Sequence, residues 1–147
     1  MSTIKAAITA VGAYVPDFVL TNKALESMVD TNEEWITSRT GIKERRILKE
    51  EGKGTSFLAI KAAQNLLAKA NVDPLEIDLL IMATATPDMP VASTGAYVAT
   101  EIGATNAFAY DLQAACSSFL FGMSTAAAYI ESGRYKKVLL IGADKMS

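Results

Sequence analysis

The sequence predicts an α/β fold with a largely parallel sheet, because short apolar runs alternate with segments of helical character. The segment Ser56 to Ala70 has Lys61, Asn65 and Lys69 at intervals of four residues, which marks the solvent-exposed face of an amphipathic helix. The apolar runs have the length of buried strands, and they are Ile4 to Val11, Asp78 to Ala83, Ala107 to Asp111 and Val138 to Ala143.

Capping residues mark two short helices in the first third of the chain. Thr21 suits the N-cap of a helix that runs through Asp30. Thr31 and Glu34 have the spacing of a capping box for a second helix, and Gly41 ends that helix.

The second half of the chain has equally clear helix boundaries. A loop over residues 84–92 contains two prolines, and Ser93 after it caps a helix that stops near Gly103. The last predicted helix runs from Ser117 to Ser132 and ends at Gly133.

The segment from Phe119 to Ile130, within that last helix, carries no charged residue on any face, which is typical of a helix buried on all sides. One sheet with the remaining helices could not enclose it, so more of the same polypeptide or a partner is expected on its far side. The chain also stops directly after a strand, at Lys145 to Ser147. We therefore expect a piece of a longer protein.

The composition excludes several functional classes. A chain of 147 residues with 50% hydrophobic residues and a net charge of −2 fits a globular domain without the basic face of a nucleic-acid binder. No apolar run reaches the roughly 18 residues of a membrane span. The absence of histidine excludes an internal Cys-His pair and argues against zinc or another metal. One cysteine and no export signal predict a reducing, cytoplasmic setting.

The one cysteine, Cys116, lies between the strand that ends at Asp111 and the charge-free helix. A thiol there faces the positive end of the helix dipole and free backbone N–H groups, which favour the reactive thiolate. A tight strand-to-helix turn would also expose it. The alternative is a small buried hydrophobic residue, as free cysteines commonly are. Position alone leaves both interpretations open.

Four stretches match one enzyme family in register over the whole chain. They are GAYVP at 12–16, VDTNEEWI at 29–36 with RTGIKER at 39–45, IMATATPD at 81–88, and the segment from Asp111 through Cys116 to Phe119. With these stretches the sequence resembles the amino-terminal portion of β-ketoacyl-acyl carrier protein synthase III, a condensing enzyme. The Trp35 block together with the Cys116 segment is specific, whereas either alone would also suggest other thiolase-fold enzymes.

The resemblance implies a thiolase-like fold of five layers, αβαβα, built from two similar halves with two central helices between two sheets. Residues 1–147 would form the first half, truncated before its last strand, and the second half would be absent from this chain. The implied architecture explains the charge-free helix. We expect that residues 1–147 do not fold stably alone, because an apolar helix face and sheet edge would be left open.

The resemblance also implies a reaction in two steps. Cys116 corresponds to the family's nucleophile, which takes an acyl group from acyl-coenzyme A before malonyl-acyl carrier protein loses carbon dioxide and its carbanion attacks the acyl-enzyme. Coenzyme A is a substrate, and no cofactor is implied. The implied partners are acyl carrier protein and a second copy in a homodimer. The family's catalytic histidine and asparagine lie in its second half, so this segment alone should be inactive.

Three residues correspond to family residues that contact coenzyme A. Trp35 corresponds to a tryptophan that stacks on the adenine, Arg39 to an arginine at the nucleotide phosphates, and Thr31 to a threonine near the adenine. From the residues alone, Trp35 could instead anchor the core and Thr31 could be used as the helix cap. We rank Trp35 and Arg39 above Thr31.

The loop from Pro87 to Ala92 is expected to supply Met89 and Val91 to substrate binding. In the family it borders the acyl pocket across the dimer interface, and many members carry an aromatic residue where Val91 stands. The smaller valine implies a pocket for acyl chains longer or more branched than acetyl.

The charged stretch from Lys43 to Lys53 is predicted to be a surface loop. Its basic cluster, Lys43, Arg45 and Arg46, is interpreted first as a solvated face and second as a docking site for acidic acyl carrier protein. Two rival functions remain: another thiolase-fold synthase that uses coenzyme A, such as a polyketide or aryl polyene starter enzyme, and a non-catalytic acyl-binding relative.

Overall fold

The computed structural model describes residues 4–146, so Ser147 and residues 1–3 lie outside the described part of the chain. The described chain forms two compact units. The smaller unit holds residues 15–53, and the larger holds residues 54–146 together with residues 4–14.

An antiparallel ribbon in the smaller unit pairs β1 (Val19–Thr21) with β2 (Glu44–Arg46). The prediction of a surface loop over Lys43 to Lys53 is therefore wrong at its first residues. A short strand of charged side chains has no apolar alternation to reveal it, and only its pairing with β1 makes it a strand.

Helix α1 (Asn22–Glu26) begins after Thr21 as predicted, since Thr21 Oγ1 accepts a hydrogen bond from the Ala24 backbone N–H at 3.2 Å. It ends before the predicted boundary at Asp30. The Ser27 hydroxyl donates to the Ala24 carbonyl at 2.8 Å, a local bond that competes with continuation of the helix.

Helix α2 (Glu33–Thr40) ends at Gly41, which has a left-handed φ of 71°, as predicted. Its N-cap is Asn32, whose Oδ1 accepts from the Trp35 backbone N–H at 2.8 Å. The capping box predicted for Thr31 is wrong, because the asparagine that follows it is an equally good cap and stands directly before the helix.

Asn22 is the buried polar centre of the smaller unit, with 1% of its surface exposed. Its Nδ2 donates to the Ile42 carbonyl at 2.8 Å and to Thr37 Oγ1 at 3.3 Å, and its Oδ1 accepts from Arg45 at 2.5 Å. These bonds satisfy the buried amide and tie α1, α2 and β2 together.

A three-stranded parallel sheet with the order β4-β3-β5 forms the centre of the larger unit. The strands are β3 (Leu79–Ala83), β4 (Phe108–Leu112) and β5 (Val138–Gly142), each within one residue of its predicted bounds. The predicted parallel sheet is confirmed. Every residue of β3 pairs on both sides and is at most 2% exposed.

Helices cover both faces of this sheet. Helices α3 (Thr55–Ala70) and α4 (Thr94–Glu101) pack on one face and α5 (Ser118–Glu131) on the other, since alternate strand residues point to opposite faces. The core of the first face consists of apolar residues from α3, α4 and the strands: Ala59, Ala63, Leu67, Val98, Ala99, Leu80, Met82, Leu139 and Ile141.

Close packing holds α5 on the sheet. A Cβ atom at Gly122 would come within 2.5 Å of Leu140 Cδ1, and one at Gly142 would come within 2.8 Å of the Phe119 ring. The opposite side of α5 is open, with Leu120 and Phe121 exposed at 63% and 57%. The sheet therefore buries one side of the charge-free helix and leaves the other apolar and exposed.

The strand predicted over Ile4 to Val11 is wrong, since these residues form no strand. No backbone-to-backbone hydrogen bond joins residues 4–12 to the rest of the described chain. The sequence has the apolar content of a strand, but a strand also needs a neighbouring backbone to pair with.

Asp78 closes the turn that leads into β5. Its Oδ2 accepts hydrogen bonds from the backbone N–H groups of Lys137 at 2.9 Å and Lys136 at 2.8 Å. These bonds hold the pKa of Asp78 below its ordinary value of 3.8.

We expect Asp78→Asn to lower the free energy of unfolding at pH 7, with a smaller difference from the parent at pH 3. A pKa depressed in the folded state gives stability that is present above the unfolded-state value and lost as pH falls through the folded-state value. Urea titrations of the full-length protein at both pH values measure the difference. An equal difference at pH 7 and pH 3 would contradict the assignment.

Candidate active site

The carboxyl ends of the three parallel strands meet at one edge of the sheet, where a pocket of about 310 Å³ opens. Short connections bring its lining residues there from the ends of β3 and β5 and from the start of α5. They are Ala83, Ala115, Cys116, Ser118, Phe119, Gly142, Ala143 and Asp144.

Cys116 is exposed in this pocket, which contradicts its interpretation as a buried hydrophobic residue. It sits in a single 3-10 turn, Ala115–Ser117, directly before α5. The backbone N–H of Cys116 makes no hydrogen bond to the described residues, whereas the Ser117 N–H donates to the Ala114 carbonyl at 3.0 Å. The predicted position beside free helix N-terminal N–H groups is thus observed.

The residue before the cysteine is strained. Ala115 has a φ of +46°, a left-handed conformation that costs a residue with a Cβ about 1–2 kcal/mol. Strained strand-to-helix turns of this kind expose the side chain that follows them.

Asp111, which precedes the cysteine segment, caps α4. Its Oδ1 accepts from the Ser93 hydroxyl at 2.9 Å and the Gly95 N–H at 2.7 Å, and its Oδ2 accepts from the Thr94 N–H at 2.8 Å. The predicted cap Ser93 also accepts from the Ala96 N–H at 3.1 Å. Asp111 therefore fixes the end of β4, from which the chain turns to Cys116.

Met89 and Val91 are not among the residues that line the Cys116 pocket. Both lie on the exposed part of the loop after β3, and Val91 is 98% exposed. The loop is held at Asp88, whose carboxylate oxygens both lie 3.2 Å from the Ser56 N–H. Met89 and Val91 thus lie at the surface on a loop that the hydrogen bonds of Asp88 hold in place.

In the smaller unit, Trp35 is 55% exposed, so it is not a core anchor. The Arg39 guanidinium carbon lies 5.4 Å from the centre of the Trp35 ring, one helical turn away. Thr31 Oγ1 is buried and has no hydrogen-bond partner among the described residues. An aromatic face, a guanidinium and an unused hydroxyl therefore belong to one short segment.

The basic cluster is largely occupied by structural contacts. Arg45 bonds Asn22, and Arg46 Nη1 lies 3.4 Å from the carbonyls of both Pro16 and Asp17. Arg46 also pairs with Glu44 at 3.9 Å. These contacts favour a structural role for the arginines over a docking site.

Sequence and structure comparisons agree on one family. Residues 110–147 match the family model of 3-Oxoacyl-[acyl-carrier-protein (ACP)] synthase III. All 147 residues align at 56% identity with beta-ketoacyl-[acyl-carrier-protein] synthase III 2 of Bacteroides thetaiotaomicron, covering 44% of that protein. The crystal structure of 3-oxoacyl-[acyl-carrier-protein] synthase III from Aquifex aeolicus VF5 superposes with a TM-score of 0.91 at 46% identity, over 97% of this chain and 45% of that one. The chain is similar over its whole length to proteins of the 3-oxoacyl-[acyl-carrier-protein] synthase III family.

The chain spans less than half the length of these family members. Its thiolase-like α/β fold class is confirmed by the structural neighbours. A priming beta-ketosynthase from the R1128 polyketide biosynthetic pathway also superposes, with a TM-score of 0.88 at 38% identity over 93% of this chain and 41% of that one. The 56% identity with the Bacteroides thetaiotaomicron synthase III is much higher, so the polyketide alternative is not favoured.

One residue of this pocket was not predicted by the sequence analysis. Asp144 lines the pocket with Cys116. The sequence feature that could have identified it is a carboxylate two residues beyond a strand, at the same edge of the sheet. Within residues 4–146, no helix is both long enough and apolar enough to cross a membrane.

We expect Ala115→Gly to raise the free energy of unfolding by about 0.5 kcal/mol, because glycine adopts a left-handed φ without strain but loses more entropy on folding. Denaturant titration of the full-length protein measures the change. The same change at Ala126, inside α5, should instead cost about 1 kcal/mol. A loss of stability at Ala115 as large as at Ala126 would count against strain.

Proposed function

We propose that this chain carries the acyl-accepting cysteine of a condensing enzyme that starts fatty acid synthesis. The overall reaction joins acyl-coenzyme A and malonyl-acyl carrier protein into 3-oxoacyl-acyl carrier protein, coenzyme A and carbon dioxide. The observation that carries the proposal is the exposed Cys116 on a strained turn at the carboxyl edge of the sheet. Its similarity to proteins of the synthase III family supports the same reaction.

In the first step, the Cys116 thiolate attacks the thioester carbonyl of acyl-coenzyme A. The negative charge that develops on the carbonyl oxygen needs hydrogen-bond donors, and the unused backbone N–H of Cys116 is one. Collapse of the tetrahedral intermediate breaks the carbon–sulfur bond to coenzyme A. The acyl-cysteine forms, and coenzyme A leaves as its thiolate.

In the second step, the malonyl group loses carbon dioxide, and the resulting carbanion attacks the acyl-cysteine carbonyl. The Cys116 thiolate is the leaving group, which restores the enzyme. Histidine is absent from these 147 residues, so a decarboxylation centre of the family's histidine–asparagine type requires residues outside them. Splitting the condensation in this way replaces one difficult step with two easier transfers.

The Trp35 segment is proposed to bind the nucleotide of coenzyme A. The exposed Trp35 ring offers a face for adenine, and Arg39 offers a guanidinium fork for phosphate oxygens. The unpartnered hydroxyl of Thr31 supports a ligand contact beside them. Acyl carrier protein as the second partner, a homodimer and a cytoplasmic location are part of the same proposal. Coenzyme A acts as substrate, and no cofactor or metal is invoked.

Acylation of the full-length protein tests the nucleophile directly. Incubation with acyl-coenzyme A should add one acyl group to the intact mass, and peptide mapping should place it on Cys116. Cys116→Ser should abolish the adduct, because a serine hydroxyl without an activating base is a far weaker nucleophile. Ser118→Ala, a neighbouring change that keeps the thiol, should retain the adduct. An adduct that persists in Cys116→Ser would show that the wrong residue was chosen.

Val91 is proposed to leave room for acyl chains longer or more branched than acetyl. We expect Val91→Phe to lower kcat/KM for hexanoyl-coenzyme A more than for acetyl-coenzyme A, because a ring adds bulk to the proposed pocket. Coupled assays on the full-length protein give both values. Met89→Ala should shift the preference the opposite way. A parent enzyme that turns over acetyl-coenzyme A alone would refute the larger pocket.

A further inference from the structure

The carboxylate of Asp144 lies in the same pocket as Cys116 and takes no part in the proposed chemistry. Asp144 is the second residue after β5, and Thr84 is the first after β3. Because these strands are parallel neighbours in register, both residues leave the sheet at the same edge.

One oxygen of Asp144 fastens the turn that follows β3. Its Oδ1 accepts from the Ala85 N–H at 2.7 Å and the Thr86 N–H at 3.1 Å, and from the hydroxyls of Thr84 and Thr86 at 3.0 Å each. Hydrogen bonds to an ionised acceptor are about twice as strong as neutral ones. Donors from three consecutive residues thus hold one backbone turn against the end of β5.

The threonine hydroxyls extend this network to the start of α3. Thr55 Oγ1 donates to the Thr86 carbonyl at 2.6 Å, and the Lys145 N–H reaches Thr55 Oγ1 at 3.1 Å and Thr86 Oγ1 at 3.0 Å. Each hydroxyl has one proton, so Thr55 gives its proton to the carbonyl and Thr86 gives its proton to Asp144. Thr55 is 2% exposed and Thr84 1%, which makes the arrangement costly to leave unsatisfied.

The turn held by Asp144 is the near end of the loop that carries Met89 and Val91. The loop is held again at Asp88, whose carboxylate bonds the Ser56 N–H and whose own N–H donates to Thr94 Oγ1 at 3.3 Å. The two anchors leave only a short exposed span beyond them. Loss of the near anchor would let that span shift relative to the Cys116 pocket.

We propose that Asp144 is a positioning residue that sets primer selectivity by fixing residues 84–86, which directly follow Ala83 in the lining of the Cys116 pocket. This inference rests on the proposed function, since it assigns the loop to the acyl pocket. Asp144 touches neither step of the chemistry and acts through the backbone that it holds. Replacing Asp144 should therefore change the ratio of kcat/KM values for different acyl-coenzyme A primers.

The test compares kcat/KM for acetyl-coenzyme A and hexanoyl-coenzyme A in the full-length enzyme. Asp144→Ala should change the ratio of the two values by about tenfold, as expected when a pocket wall moves by a fraction of an ångström. Asp144→Asn keeps an acceptor oxygen in place, so its ratio should stay within about twofold of the parent. A ratio preserved in Asp144→Asn would show that the position of the acceptor oxygen matters and that its negative charge does not.

Asp78→Ala is the matched control. Asp78 also holds two backbone N–H groups through one carboxylate oxygen, but at the opposite edge of the same sheet. It should lower the melting temperature and leave the primer ratio unchanged. If Asp144→Ala likewise lowers stability without moving the ratio, the proposal is overturned.

Thr84→Val keeps the test decisive if Asp144→Ala does not fold. The change removes one donor to Asp144 and the acceptor for the Thr86 N–H while preserving side-chain shape. A shift of the ratio in the direction expected for Asp144→Ala supports the proposal, and an unchanged ratio overturns it. A parent enzyme that forms no acyl-Cys116 adduct would overturn the proposed function itself, which separates the two failures.

Discussion

Burial of the central strand β3 is the constraint on which the larger unit depends. Parallel pairing with both neighbours requires crossover connections, and the helices that make them cover the two faces of the sheet. Because the strands point the same way, their carboxyl ends lie along one edge. Thr84, Cys116 and Asp144 leave the sheet there within a few residues of a strand end, so the buried strand brings together groups that are far apart in sequence.

Carboxylates hold in place the loops that burial of apolar side chains cannot hold. Asp88 fastens its loop to the start of α3, Asp111 caps α4, and Asp144 holds the turn after β3. Loops beside a reactive site stay exposed, so they have little apolar surface to bury. Charge-assisted hydrogen bonds to backbone N–H groups supply the missing restraint and also satisfy donors at helix starts.

Helix α5 connects Cys116 to the packing of the sheet. Its first turn follows Cys116, and glycines at 122 and 142 let it approach β5 closely. The strain at Ala115 is sustained by this packing, because the helix and β4 fix both ends of the turn. The other side of α5 exposes apolar residues, so the helix that positions the thiol also presents a surface suited to further burial.

The sequence by itself determined the alternation of strands and helices, the exposed and buried faces of α3, most helix ends and the place of Cys116 at a strand-to-helix junction. These features depend on residues close in sequence, through periodicity and capping. Only the tertiary structure decided that Ile4 to Val11 forms no strand, that charged residues form β2, and that Asp144 joins Cys116 in one pocket. Strand pairing and the convergence of donors on one carboxylate are contacts between distant segments, and local sequence patterns carry no record of which distant segment will be the partner.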